Sequence, residues 1–154
     1  MSHRRAIALI SLASCMVALY LALWKMGYMG ALGCGDGRGC EYVQGSRWGW
    51  FLRVDVALIG TLGYAAVVLV ALIGTSPALE DARWPTQVLM VLIYAALLFT
   101  IRLKYAEFVL LKAFCPWCAV SAVAITLDAI LVTLDWRRVR GLRSVTAALP
   151  HATS

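Results

Sequence analysis

Charge is what this sequence has least of. Of its 154 residues only 14% are Asp, Glu, Lys or Arg, while 62% are hydrophobic. A soluble domain is about half apolar and about a quarter charged, so an ordinary water-soluble globule is excluded. Negative charge is the scarcer sign, with 8 acidic against 14 basic residues and a net charge of +6. That surplus does not make a nucleic-acid binder, because the basic residues flank apolar runs or sit in loops and form no stripe or binding motif. There is no internal repeat, no phosphate-binding loop and no glycine-rich dinucleotide fingerprint.

What is present is apolar sequence in four blocks. Residues 6–24 and 86–101 carry no charge, 54–74 carries Asp55 near its start, and 115–134 carries Asp128 inside. A spanning helix needs about 20 residues, with a range of about 17 to 25. The third block reaches that length only by running on towards Leu111, taking in Arg102 and Lys104, whose ammonium and guanidinium ends can snorkel to the interface. The first block is longer than a signal peptide's apolar core. Trp24, Lys25 and Tyr28 follow it in place of a small-residue cleavage site, so it reads as a retained helix. The expected fold is an all-α integral membrane bundle of four transmembrane helices with a cysteine-bearing loop, residues 28–53, between helices one and two. The bundle is expected over residues 1–140, followed by a disordered tail at 141–154.

An even number of spans puts both termini on one side. Lys and Arg then divide seven against seven, so the positive-inside count does not orient the chain. The cysteines do. Cys34, Cys40, Cys115 and Cys118 all fall on the side opposite the termini, and disulfides belong to an oxidising compartment. The expected placement is therefore a bacterial inner membrane, with the four cysteines outside and both termini cytoplasmic. Cys15, mid-helix, reads as a small buried hydrophobe.

The cysteines form two pairs. Cys34 and Cys40 bracket Gly35-Asp36-Gly37-Arg38-Gly39, a stretch too rich in glycine for a stable helix or strand, and close a small ring. Such a ring is either a staple or, being easily reached by an attacking thiolate, a labile and exchangeable disulfide, and its exposure favours the second. Cys115-Pro116-Trp117-Cys118 opens the last helix. Pro116 suits the first helical position, i and i+3 share one face, and the helix N-terminus stabilises a thiolate. The wide separation of the two pairs lacks the twin knuckles of a zinc ribbon, and no metal is expected. Two exchangeable pairs on one side make a relay. An outside thiol attacks the loop pair, the loop pair reduces the helix pair, and a lipid-soluble quinone is the accessible two-electron sink at the edge of a helix bundle. Ser46 reads as a cap or turn residue, with donation to a ligand oxygen as the alternative. Asp128, about 15 Å below Cys118, reads as a protonated or paired structural carboxyl, although any intramembrane carboxylate is a functional candidate.

In these residues the chain resembles the vitamin K epoxide reductase family, including its bacterial homologues. The likeness rests on Cys34 and Cys40, on Ser46-Arg47-Trp48-Gly49, and on Phe114-Cys115-Pro116-Trp117-Cys118. Tyr64 and Tyr105-Ala106-Glu107 also fit. The resemblance implies a four-helix bundle around a quinone of the menaquinone, ubiquinone or vitamin K type. It implies that Cys34 is attacked by a partner thiolate, that Cys40 forms an inter-pair disulfide with Cys115, and that Cys118 faces the quinone. Ser46, Trp117 and Phe114 would lie beside the relay and the quinone. Many bacterial relatives carry a fused thioredoxin-like domain, and here a separate thioredoxin-like protein with a C-x-x-C dithiol is the expected partner. Val56 and Ala122 stand where the vertebrate enzymes carry an asparagine and a tyrosine near the quinone, and Arg53-Val54-Asp55 stands where bacterial relatives carry Gly-Val-Pro. Disulfide formation is thus the expected activity, with epoxide reduction, or a non-catalytic stapled scaffold, as alternatives.

Overall fold

The computed structural model describes residues 2–30, 39–79 and 82–148, with side chains described from residue 3 to residue 141 of these. Four helices are long and apolar enough to cross a membrane, spanning His3–Lys25, Val56–Ile73, Arg83–Leu111 and Pro116–Gly141. They belong to α1 (Ser2–Lys25), α3 (Val56–Ile73), α4 (Arg83–Tyr105, continued by a π-helical turn, Ala106–Leu111) and α5 (Pro116–Ala148). The third span therefore does take in Arg102 and Lys104. Arg102 lies over the Trp48 and Phe51 rings at 5.2 and 5.5 Å, and Lys104 pairs with Glu107. α5 runs past residue 140, where a disordered tail was expected to begin, and continues to Ala148 despite Gly141, with no proline in between.

Helix boundaries follow local chemistry. Asp55 caps α3 by accepting from the Ala57 N–H at 2.8 Å, an interaction that contributes about 1 kcal/mol. α4 starts at Arg83, earlier than the expected Thr86, with Trp84 and Pro85 inside its first turn. Proline is tolerated there because the first N–H groups of a helix have no intrahelical partner.

From Gly39 onward, the segment leading into α3 carries regular structure. A short helix α2 (Gly39–Gly45) is followed by a 3-10 turn (Arg47–Gly49) and a two-stranded hairpin, β1 (Trp50–Phe51) against β2 (Val54–Asp55). Leu52 and Arg53 form its two-residue turn with φ of 52° and 66°. Both central residues at positive φ are what a tight hairpin of this hand requires. Lys25 anchors the hairpin to the end of α1, donating to Gly49 O (2.8 Å) and Asp55 Oδ1 (3.2 Å) and lying over the Trp50 ring.

α1 packs on α3 and α5, and α4 packs on α5 and α3. In lipid this association rests on close packing and internal polar contacts. Ile7, Val67, Leu89, Ile93, Ile125 and Val132 form the central contact. Gly74, just past α3, makes a close approach, where a Cβ would lie 3.0 Å from Pro85 Cβ. Gly60, against Ala18 of α1, and Gly63 line a cavity. At the end holding the N-terminus, Arg4 is buried. It donates to Asp135 Oδ2 and Thr86 Oγ1, both at 2.8 Å, and to the Gly74 carbonyl, tying α1, α4, α5 and the end of α3 together. Breaking such a buried pair by removing one partner costs about 3–5 kcal/mol.

Candidate functional site: a thiol pair above an apolar cavity

The end of the bundle opposite Arg4 is built around Cys115. The π turn closes at Lys112, which takes the left-handed conformation (φ 48°, ψ 38°) and lets the chain reverse tightly into α5. Glu107 holds this reversal. Its Oε1 accepts the Cys115 N–H at 2.7 Å, its Oε2 accepts from Lys104 Nζ at 2.6 Å, and the residue is buried. Cys115 then takes the place of an N-cap, with Pro116 first in α5. Its sulfur accepts the Cys118 N–H at 3.3 Å, as a capping oxygen would. The hydrogen bond from the Cys118 side chain holds the Cys115 thiol below the usual thiol range, outweighing burial, which acts the other way.

α2 carries the other half of the site. Gly39 lies directly on the Phe114 carbonyl: a Cβ there would stand 2.3 Å from the oxygen. Cys40 follows, fully buried and disulfide-bonded. It belongs to the same buried cluster as Cys115, with Leu21, Ala22 and Ala57, and Cys118 packs on the edge of that cluster. Cys115 and Cys118 are free thiols. Gln44, one turn beyond Cys40, is buried and donates to Cys118 Sγ at 3.6 Å. Cys34 lies outside the described residues. Cys15 is a partly buried free thiol whose sulfur approaches Thr61 O at 3.5 Å and packs on the core.

Below Cys118 the bundle encloses a cavity of about 360 Å³. Its wall is mostly aliphatic and aromatic, with Trp48, Phe99 and Trp117 among the rings and Gln44, Tyr64 and Ser121 among the few polar groups. Of the residues expected beside a quinone, Cys118 and Trp117 line this cavity. Ser46 does not: its hydroxyl donates to Val43 O at 2.7 Å, as a turn residue does. Phe114 does not either. It is exposed and pairs with the Phe108 ring, with Lys104 beside both. Val56 is on the cavity wall, whereas Ala122 faces a separate groove with Leu97 and Thr126.

Glu107 and Gln44 are the residues that pattern reading undervalued. Glu107 was visible only as part of a three-residue match, yet a carboxylate at the end of an apolar run, three residues from a lysine, signals a buried pair. Gln44 carried no signal, since nothing local distinguishes a loop glutamine from one packed on a thiol.

A helical membrane bundle with a dithiol at one end, set over an apolar cavity, defines a membrane oxidoreductase. The vitamin K epoxide reductase family model matches residues 5–133. The chain belongs to that family, whose members use quinones, and it is a multi-pass membrane protein.

Proposed function

We propose that this protein oxidises the dithiol of a separate thioredoxin-like protein and passes the electrons to a quinone, supporting disulfide formation outside a bacterial inner membrane. The observation that carries the reading is the shared burial of Cys40 and Cys115 in one cluster, with Cys118 at once beside them and on the wall of the cavity. Cavity size supports it as well, since about 360 Å³ falls in the usual range for small-molecule sites. A ring system slid between apolar helices suits that lining, and Gln44 offers an N–H donor where a quinone oxygen would need one.

The steps are thiol–disulfide exchanges. A partner thiolate attacks the Cys34–Cys40 bond at Cys34. The partner's second thiol then displaces Cys34, leaving the partner oxidised and the loop pair reduced. Cys40 attacks Cys115 of an oxidised helix pair, forming a Cys40–Cys115 bond and releasing Cys118. Cys34 attacks Cys40, restores the loop disulfide and frees Cys115. The reduced pair Cys115–Cys118 finally gives two electrons to the quinone and closes its own disulfide. Cys115, whose thiol the Cys118 hydrogen bond lowers, is the better leaving group of the pair when Cys34 attacks Cys40. Quinone reduction belongs to Cys118, which faces the cavity. The test is Cys118→Ala in reconstituted membranes supplied with a reduced thioredoxin-like protein and ubiquinone or menaquinone. Quinol formation is expected in the parent protein and lost in the variant, with attack on the Cys34–Cys40 pair retained. Quinol formation that persists in the variant overturns the assignment.

A further inference from the structure

Gln44 has no role in the exchange steps as written, yet its amide is buried against a reacting sulfur. α2 carries Cys40 and Gln44 one turn apart, both buried, on one face. That face is in register with the Cys-x-x-Cys pair. Cys40 shares the buried cluster of Cys115, and Gln44 Nε2 donates to Cys118 Sγ at 3.6 Å. Both ends of α2 are pinned by backbone contacts. Gly39 lies on the Phe114 carbonyl, and Gly49 lies so close to the Gln44 carbonyl that a Cβ would overlap its oxygen. Lys25 of α1 holds Gly49 in turn, donating to its carbonyl at 2.8 Å. The other polar groups near Cys118 are already engaged. Its N–H donates to Cys115 Sγ, while Lys104 and Glu107 of α4, on the same cavity wall, pair with each other at 2.6 Å. Gln44 thus brings a neutral N–H donor to a sulfur that faces an apolar space.

We propose that Gln44 is a catalytic residue of the exchange, its amide N–H stabilising the Cys118 thiolate that is released when Cys40 attacks Cys115. The inference rests on the exchange steps above and not on the identity of the electron acceptor. In that step the Cys40 thiolate forms the Cys40–Cys115 bond and the Cys115–Cys118 bond breaks. The electron pair of the broken bond leaves on Cys118. One negative charge therefore moves from the Cys40 sulfur to the Cys118 sulfur, with no outside oxidant and no proton required. It arrives at an atom on the wall of an apolar cavity, where a charge without a hydrogen bond is costly. A donor already in place where charge develops lowers that cost without reorganisation, and a hydrogen bond to a charged acceptor is a strong one. Because Cys40 and Gln44 ride on one short helix, the docking that brings the attacking sulfur to Cys115 also brings the donor to the leaving sulfur. The amide keeps a second N–H for a quinone oxygen.

The experiment follows a single disulfide in the full-length Cys34→Ser protein, reconstituted in lipid vesicles and oxidised with one equivalent of diamide. Cys40, Cys115 and Cys118 then share one bond, which interchanges between Cys115–Cys118 and Cys40–Cys115. Acid quench and non-reducing peptide mapping give the two populations across a pH series. Adding Gln44→Met keeps the bulk of the side chain and removes the N–H. In alkaline buffer, where the sulfurs are ionised, it is expected to lower the ratio of Cys40–Cys115 to Cys115–Cys118 by about tenfold, the scale of one hydrogen bond to a charged group. The deficit should fade as the buffer is acidified, because a neutral thiol gains less from the donor. Gln44→Glu, of the same shape but negatively charged, should lower the alkaline ratio further. A ratio in Gln44→Met equal to that with glutamine overturns the inference, as does a deficit that is the same at every pH, which is what lost packing would give. If Gln44→Met fails to fold, Gln44→Asn, whose shorter arm draws the N–H away from the sulfur, decides by the same criteria. A Cys34→Ser protein with glutamine at position 44 that forms no Cys40–Cys115 bond sinks the exchange reading itself, and the inference with it.

Discussion

Gly39 and Phe114 touch, backbone to backbone, with no room for a side chain between them. This one approach brings a helix of the loop onto the turn that opens α5 and sets Cys40 into the same buried cluster as Cys115. The proposed relay, from Cys40 to Cys115 across 75 residues of sequence, would depend on it.

Gly39→Ala should therefore lift α2 from the turn. Overpacking of this kind costs about 1–3 kcal/mol. The expected outcome is a lower melting temperature together with a large loss of electron transfer from the loop pair to the helix pair. Gly45→Ala is the control, because a Cβ there meets nothing within 4 Å. Thermal unfolding in detergent and thiol trapping check both variants, and equal behaviour of the two would count against the contact.

The second expectation concerns pH. Cys118 hydrogen bonding lowers the Cys115 thiol, while the negative charge of Glu107 pushes it up. Glu107→Gln removes that charge, keeps a side-chain oxygen for the Cys115 N–H, and frees Lys104. Alkylation of Cys115 in reduced protein should then reach half-maximal rate at a lower pH than in the parent. A lowered thiol binds fewer protons folded than unfolded, so the reduced protein gains stability as pH rises from the folded value to the ordinary thiol value. That contribution is lost as pH falls through the folded value. Alkylation kinetics and denaturant titrations across the alkaline range check both signs.

Gly63 offers a way to fill the cavity without touching a cysteine. It lines the cavity, and a Cβ there would meet nothing within 4 Å. Alanine should be tolerated, adding about 0.5–1 kcal/mol of helix stability. Phenylalanine should project into the space and block quinone reduction while leaving exchange with the partner dithiol intact. Quinol formation measured beside partner oxidation in a single turnover separates the two effects. Unimpaired quinol formation in Gly63→Phe would place the acceptor elsewhere.

Much of the bundle was legible because lipid imposes a length and an apolar composition on each span, and residues 6–24 and 115–134 meet both. The thiol turn was legible because Pro116 can sit only near a helix start. Other features depend on contacts distant in sequence. Gly39 reads locally as flexibility, yet its lack of a side chain is what lets α2 form against Phe114. Arg4 reads as an orienting surface charge, but it is buried on Asp135 and Thr86 from two other helices. Ser46 was weighed as a ligand donor and is engaged within its own turn. Nothing in the local sequence marks Gly60 and Gly63 as lining a cavity, which follows only from how the helices pack. Leu52 and Arg53, both at positive φ, form a hairpin turn that neither residue type advertises.

The proposed mechanism requires the loop pair and the helix pair to exchange directly, sulfur to sulfur. Cys118→Ser removes the thiol that would reopen a Cys40–Cys115 bond from the helix side, and Cys34→Ser removes the one that would reopen it from the loop side. The most direct measurement is peptide mapping by mass spectrometry, under non-reducing conditions, of the doubly substituted protein after acid quench. A Cys40–Cys115 disulfide is the expected dominant species. Recovery of both cysteines as unlinked thiols under oxidising conditions would contradict it.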